Sequence, residues 1–226
     1  MGNFDWQDYD ESPIFKQGIA VVKRGGKFGA IMVGGKEIVP PIYDDLSEFE
    51  NGYATVKWNN ETRIVNLSGQ IQVLKDGKEI FLPEEYDWGF DFVENLCVVV
   101  KNNKYGIVNA ELKLIIPCEY EYIETLSDCL FKFREGGKWG VVDKSRKLIA
   151  GADYINITYE TESLLMVETR AQNGSCMESR YGFLNNNGDI IVPAQCKTIR
   201  RIEQGDDIFF IVEKNGIKEC LIKMAI

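Results

Sequence analysis

The side chains of this chain best able to do chemistry are its carboxylates, 35 of them against 26 Lys and Arg. Four groups stand close in sequence: Asp44 with Asp45, Asp87 with Asp91, Asp206 with Asp207, and the run Asp5, Asp8, Asp10, Glu11. Two carboxyl groups facing each other across a cleft, roughly 5–10 Å apart, would make a glycosidase-like site. Asp10, Asp44 and Asp87, however, each follow a tyrosine: Tyr9, Tyr43 and Tyr86. An acid recurring at one place in a pattern is expected to brace a turn, whereas an active-site pair should interrupt the pattern. The expectation is a protein that is not an enzyme, with glycan processing as the catalytic alternative.

Other chemistries lack their residues. The chain has no histidine, which removes Ser-His-Asp and Cys-His nucleophile arrangements and imidazole zinc sites. Its six cysteines, Cys97, Cys118, Cys129, Cys176, Cys196 and Cys220, contain no CxxC pair and read as buried, reduced thiols. No Walker A or GxGxxG loop occurs, and the Asp5–Asp10 run lacks the glycine of an EF-type calcium loop. No cofactor and no metal is expected.

Aromatic residues offer binding instead. Phe28, Tyr105, Trp139 and Tyr181 recur before a glycine and are expected in the core. Trp6, Trp58 and Trp88 stand off that position and are the candidate ligand-contact residues, able to stack on a sugar ring or dock a peptide. Packing is the competing reading for all three.

The elements that must position these groups repeat. An aromatic–Gly pair after a basic residue appears at Lys27-Phe28-Gly29, Lys104-Tyr105-Gly106, Lys138-Trp139-Gly140 and Arg180-Tyr181-Gly182. A Pro-x-x-Tyr step follows at Pro40–Tyr43, Pro83–Tyr86 and Pro117–Tyr120, with degenerate copies at Ala150–Asp153 and Pro193–Cys196. A further apolar landmark comes at Phe49, Phe92, Leu126, Tyr159 and Ile202. From aromatic to proline takes 12 residues in three copies (28 to 40, 105 to 117, 181 to 193) and 11 in a fourth (139 to 150). Each copy reads as short strands: Gly18–Lys23, a Gly25-Gly26 turn, Lys27–Val33, a Gly34-Gly35 turn, and Glu37–Val39, ended by Pro40-Pro41. No segment carries a sustained helical period, so the class is all-β.

These landmarks together resemble the WG repeat family of bacterial proteins, most clearly over Gly18–Phe49, Lys104–Tyr120 and Gly137–Asp143. Thr62-Arg63-Ile64 and Asn215-Gly216-Ile217 depart from the pattern. The resemblance implies repetitive β structure and an interaction role; it transfers no catalytic residue.

Six repeats are expected, at about 16–49, 50–92, 93–126, 127–159, 160–202 and 203–226, the last completed by residues 1–15. Tyr9-Asp10, Phe15 and Gly18 have the spacing of Tyr43-Asp44, Phe49 and Gly52, so the N-terminus supplies what the last repeat lacks. Sharing one blade between the termini favours a six-bladed β-propeller closed by the N-terminal strand over an open β-solenoid of hairpin repeats. Insertions fall near Ile71–Lys78 and Ala171–Ser179, and are expected as loops on opposite faces.

The net charge of −9 disfavours nucleic acid and anionic membranes as partners. The one dense basic stretch, Lys197-Thr198-Ile199-Arg200-Arg201, reads as a solvated strand edge. Residues 1–6 form no signal peptide or myristoylation motif and no stretch has the length of a membrane span, so a cytoplasmic location is expected. The implied partner is a protein or peptide, with a glycan as the alternative.

Overall fold

Short β-branched and aromatic runs form strands here because residues that tolerate a left-handed backbone separate them. Gly25, Gly26, Asn59, Asn60, Asn102, Asn103, Gly136 and Gly137 all have positive φ and turn adjacent strands back on each other. A computed structural model describes residues 8–173, 176–204, 207–214 and 217–225. Asp5, Trp6, Asp206, Asn215 and Gly216 lie outside them, as do the side chains of Asp207 and Cys220. No α-helix occurs among the described residues.

The chain divides into two compact units, Met1–Glu119 and Tyr120–Ile226. In the first, β1 (Ile19–Arg24), β2 (Lys27–Met32) and β3 (Glu37–Tyr43) form one antiparallel sheet. Strands β4 (Asp45–Leu46), β5 (Tyr53–Trp58) and β6 (Glu61–Asn66) form the next, followed by the hairpin β7 (Gln72–Lys75) and β8 (Lys78–Phe81). A four-stranded sheet of β9 (Trp88–Gly89), β10 (Leu96–Lys101), β11 (Lys104–Asn109) and β12 (Leu114–Tyr120) completes it.

The second unit repeats the plan. Its first sheet contains β13 (Tyr122–Ser127), β14 (Leu130–Glu135), β15 (Lys138–Asp143) and β16 (Leu148–Tyr154). Its next contains β17 (Asn156–Thr161), β18 (Leu164–Asn173), β19 (Cys176–Asn185) and β20 (Ile190–Cys196). The last contains β21 (Thr198–Gln204), β22 (Asp207–Lys214) and β23 (Ile217–Ala225). The basic stretch at 197–201 opens β21, the edge strand of that sheet, with Arg200 and Arg201 exposed.

One backbone hydrogen bond recurs six times and sets the phase of the repeat. The residue after each Tyr step donates its N–H to a carbonyl near the end of the next long strand. The pairs are Asp10 to Lys23, Asp44 to Lys57, Asp87 to Val100, Glu121 to Arg134, Ile155 to Glu168 and Lys197 to Glu213. The segment then runs into that strand through a two-residue turn, as the Lys16–Ile19, Glu50–Tyr53 and Val93–Leu96 bridges show. So tight a turn leaves no chain to cross to another sheet.

The Tyr-to-Phe segment therefore opens the sheet that follows it, where the sequence reading places it at the end of a repeat. Tyr9 packs with Ala20, Val22 and Ile31, so the N-terminal step at Tyr9-Asp10 belongs with the first sheet. The last sheet already has its opening strand, β21.

The third strand explains the aromatic–Gly pair. Phe28 opposes Tyr43 and Ala30 opposes Val39, so four residues of β3 span two of β2. The same bulge sets Trp139 against Tyr154 and Val141 against Ala150, and Tyr181 against Cys196 and Phe183 against Val192. The bulged backbone lies directly over the glycine. A Cβ on Gly29 would sit 2.6 Å from Pro41 N and 2.7 Å from Val39 O; one on Gly182 would sit 2.5 Å from Val192 O. Pro40 and Pro41 consequently lie inside β3 and do not end it, because a bulge does not call on their missing N–H groups. Trp139 facing Tyr154 also moves the fourth step to Gly151–Tyr154, one residue beyond Ala150–Asp153, and restores the 12-residue spacing.

Both insertions are strands. The first is the β7–β8 hairpin, with its turn at Asp76-Gly77. The second lengthens β18 and β19 into a ribbon of 10 residues per strand. Cys97 and Cys196 are buried, as expected of reduced thiols, but Cys118 is half-buried and Cys129 and Cys176 are exposed.

Candidate functional site

The acid that follows each Tyr step folds back onto the first hairpin turn of its own sheet. Asp10 accepts from Gly25 N and Gly26 N, both at 2.9 Å. Asp44 accepts from Asn59 N at 2.8 Å and from Lys27 Nζ at 2.5 Å. Glu121 accepts from Gly136 N and Gly137 N at 3.1 and 3.5 Å. These contacts are the turn braces that the repeat position implies. Backbone donors on Gly26 and Gly25 hold the Asp10 carboxyl below its ordinary range. The Lys27 ammonium, then Asn59 N–H, does the same for Asp44.

Asp87 occupies the same position and behaves differently. Its Oδ2 accepts from Asn102 N at 2.5 Å, but among the described residues no protein donor reaches Oδ1. Burial pushes its carboxyl above the usual range, outweighing the Asn102 N–H and the charge of Lys101. Lys101 itself bonds Glu85 Oε2 at 2.9 Å.

Asp87 borders a cavity of about 500 Å³ lined by β3, the β5–β6 turn, β9 and the β10–β11 turn. Pro40, Pro41 and Ile42 form one wall, Trp58 and Trp88 another, and Asn59, Asn102 and Asn103 the polar rim. Trp58 takes the last place of β5, where β1 ends in Arg24 and β10 in Lys101. It is half-buried, 5.4 Å from Trp88 and 6.2 Å from Tyr105, ring centre to ring centre. Trp88 is 1% exposed, and its indole Nε1 has no hydrogen-bond partner among the described residues.

Of the three candidate contact residues, Trp58 thus faces the cavity and Trp6 falls outside the described residues. Trp88 is a correction: it is no exposed platform, because Tyr43 and Trp58 pack against it. Phe28, Tyr105, Trp139 and Tyr181 are also less interior than expected. Each is half-buried, and a cation covers Phe28 and Trp139: Lys23 at 5.0 Å and Lys132 at 4.4 Å from the ring centres.

Asp91, the other candidate carboxylate near Asp87, is engaged. Asp91 accepts from Leu74 N at 2.9 Å and pairs with Arg63 at 3.4 Å. Arg63 stands at the position of the signature glycine in the second sheet, opposite Val56 as Gly29 is opposite Val22. No long bulge crosses it there, because the chain leaves after the Val65–Ile71 bridge for the β7–β8 hairpin. Its side chain fills the freed space, with Nε donating to Gly89 O at 3.3 Å. Sequence reasoning missed the exceptional state of Asp87. The legible signals were the replacement of the usual charged residue by Trp58 and of the usual basic residue by Glu61.

The WG containing repeat family matches residues 34–61, 75–105, 105–139 and 181–216. The chain therefore belongs to that family of β-repeat proteins. Comparison with curated proteins finds no match. Among solved structures, the WD40 domain of Toxoplasma gondii coronin is similar at 10% identity and a TM-score of 0.33, over 92% of this chain and 68% of that one. The CNH domain of AfRom2 is similar at 11% identity and a TM-score of 0.24, over 97% of this chain and 82% of that one.

Proposed function

We propose that this chain is a non-catalytic binding module whose ligand enters the cavity between Trp58 and Asp87. The observation that carries the reading is that contrast within the repeat: the other bracing acids are saturated, while Asp87 borders a cavity with one carboxylate oxygen unused. Loops and turns held by a rigid β scaffold are suited to recognition. The occupant expected is a protein or peptide group. The test is capture of binding partners by the chain and by its Trp58→Ala variant. Partners lost with the variant support the reading; an unchanged set overturns it.

The half-buried indole of Trp58 beside a carboxylate and three asparagines favours one second reading, a glycan-binding or glycan-processing site. Retention on a glycan array that depends on Trp58, or hydrolysis of aryl glycosides that depends on Asp87, would establish it over the first.

We further propose that the six sheets other than the β7–β8 hairpin succeed one another as the blades of a propeller. The same opening hydrogen bond and strand order in both units supports this. A closed arrangement of 226 residues should have a radius of gyration of about 17 Å by X-ray scattering. A markedly larger value would favour an open solenoid.

A further inference from the structure

In the first sheet Lys27 opens β2, paired with Arg24 across the hairpin. Its ammonium reaches the bracing acid of the next sheet, Asp44, at 2.5 Å. The equivalent residue of the second sheet is Glu61, paired with Trp58 across its hairpin. The residue equivalent to Asp44 in the third sheet is Asp87, so by register Glu61 stands to Asp87 as Lys27 stands to Asp44. A carboxylate stands where the repeat elsewhere provides an ammonium: Lys27, Lys104 and Lys138 hold the other equivalent places in the first four sheets. The Oδ1 of Asp87 accordingly lacks the cation that Asp44 has. Two other bases near the cavity are already committed, Lys27 to Asp44 and Lys101 to Glu85.

We propose, resting on the cavity's role as a binding site, that it takes an alkylammonium group from outside, which replaces the missing lysine. The positive charge would lie against Asp87 Oδ1 and over the face of Trp58. A desolvated carboxylate and an aromatic ring attract an organic cation more strongly than either does alone. Alkyl substituents on the nitrogen suit the apolar wall of Pro40, Pro41 and Ile42. The amides of Asn59, Asn102 and Asn103 at the rim offer hydrogen bonds to a polar atom next to the ammonium, such as a hydroxyl or an amide carbonyl. Two sources share this chemistry, a free small molecule and a lysine side chain of a partner.

The experiment titrates the intact ¹⁵N-labelled chain with choline, with Nα-acetyl-Nε-trimethyllysine methylamide, and with 3,3-dimethylbutanol, the neutral isostere of choline. The Trp88 indole N–H resonance is the readout, assigned by its loss in Trp88→Phe. A saturable shift with a cationic probe at up to ~10 mM, the affinity range of small fragments, is expected, and none with the neutral isostere. Saturation by choline identifies a free molecule as the source, and saturation by the lysine probe alone a partner's side chain. Asp87→Asn keeps the acceptor for Asn102 N and should weaken binding tenfold or more. Glu61→Lys, which restores the internal ammonium, should weaken it as much, with the amide spectrum of both variants showing an intact fold. Equal binding of the neutral isostere would overturn the charge reading while leaving the cavity as a binding site. No shift with either cation, or undiminished binding in both variants, would overturn the inference outright.

Discussion

The Tyr43 hydroxyl donates a 2.6 Å hydrogen bond to the main-chain carbonyl of Asp87, joining the end of the first sheet to the start of the third. Tyr43 is 1% exposed, and burial raises the pKa of its phenol well above the ordinary value. The bond is therefore made by a neutral, fixed donor. It holds the backbone of the residue whose side chain borders the cavity, so the Tyr of the repeat positions the acid of another sheet. Tyr43→Phe should leave that carbonyl unpaired and cost about 1–2 kcal/mol. The denaturant midpoint measures the loss, and an unchanged midpoint would show that water takes over the bond.

The signature glycines should be intolerant for a steric reason. In Gly29→Ala and Gly106→Ala the new methyl would meet backbone atoms at 2.6 Å, and backbone cannot rotate away as a side chain does. A loss of about 2–4 kcal/mol is expected from each. Gly25→Ala differs, since nothing lies within 4 Å and the cost is only its positive φ of 57°, about 1 kcal/mol. Thermal melts of the three variants should rank them in that order.

Asp44 and Asp87 should respond oppositely to pH. The folded pKa of Asp44 is lowered, so its contribution is present above the unfolded carboxylate value and lost as pH falls through the folded one. The folded pKa of Asp87 is raised, so its ionised form opposes folding at neutral pH, and protonation relieves this as pH falls through that raised value. At pH 7, Asp44→Asn should destabilise by under about 1 kcal/mol, as a part-exposed ion pair does. Asp87→Asn should be neutral or stabilising, with the difference from the parent shrinking in mildly acidic buffer. A chemical-denaturation series across pH 4–7 checks both signs.

Thiol labelling should divide the cysteines. Burial pushes Cys97 up to about 12 and Cys118 up to about 11. Exposed Cys129 and Cys176 should react with an aromatic disulfide reagent at neutral pH, and Cys97 only when the chain unfolds. Mass spectrometry of labelled peptides distinguishes them.

The strands and most turns were legible in the sequence because glycine and asparagine pairs punctuate β-branched runs at nearly fixed spacing. The bracing role of Asp10 and Asp44 was legible too, from recurrence alone. The phase of the repeat was not. Periodicity fixes the length of a unit but not where it starts, and only the hydrogen bond from Asp10 N to Lys23 O decides that. The prolines misled for a related reason: Pro40 and Pro41 stop an ordinary ladder, yet here the ladder bulges to accommodate them. Trp88 misled because it stands off the aromatic landmark, while its burial depends on Tyr43 and Trp58, contacts that spacing does not reveal.

Because the Tyr step opens its own sheet, every ladder among the described residues pairs neighbouring segments of the chain, from the Asp10–Lys23 bond to the β22–β23 pair. Contacts this local carry a small loop-closure cost. As the polypeptide leaves the ribosome, each sheet has all its strands in hand before the next begins. Synthesis can thus lay these ladders down one meander at a time.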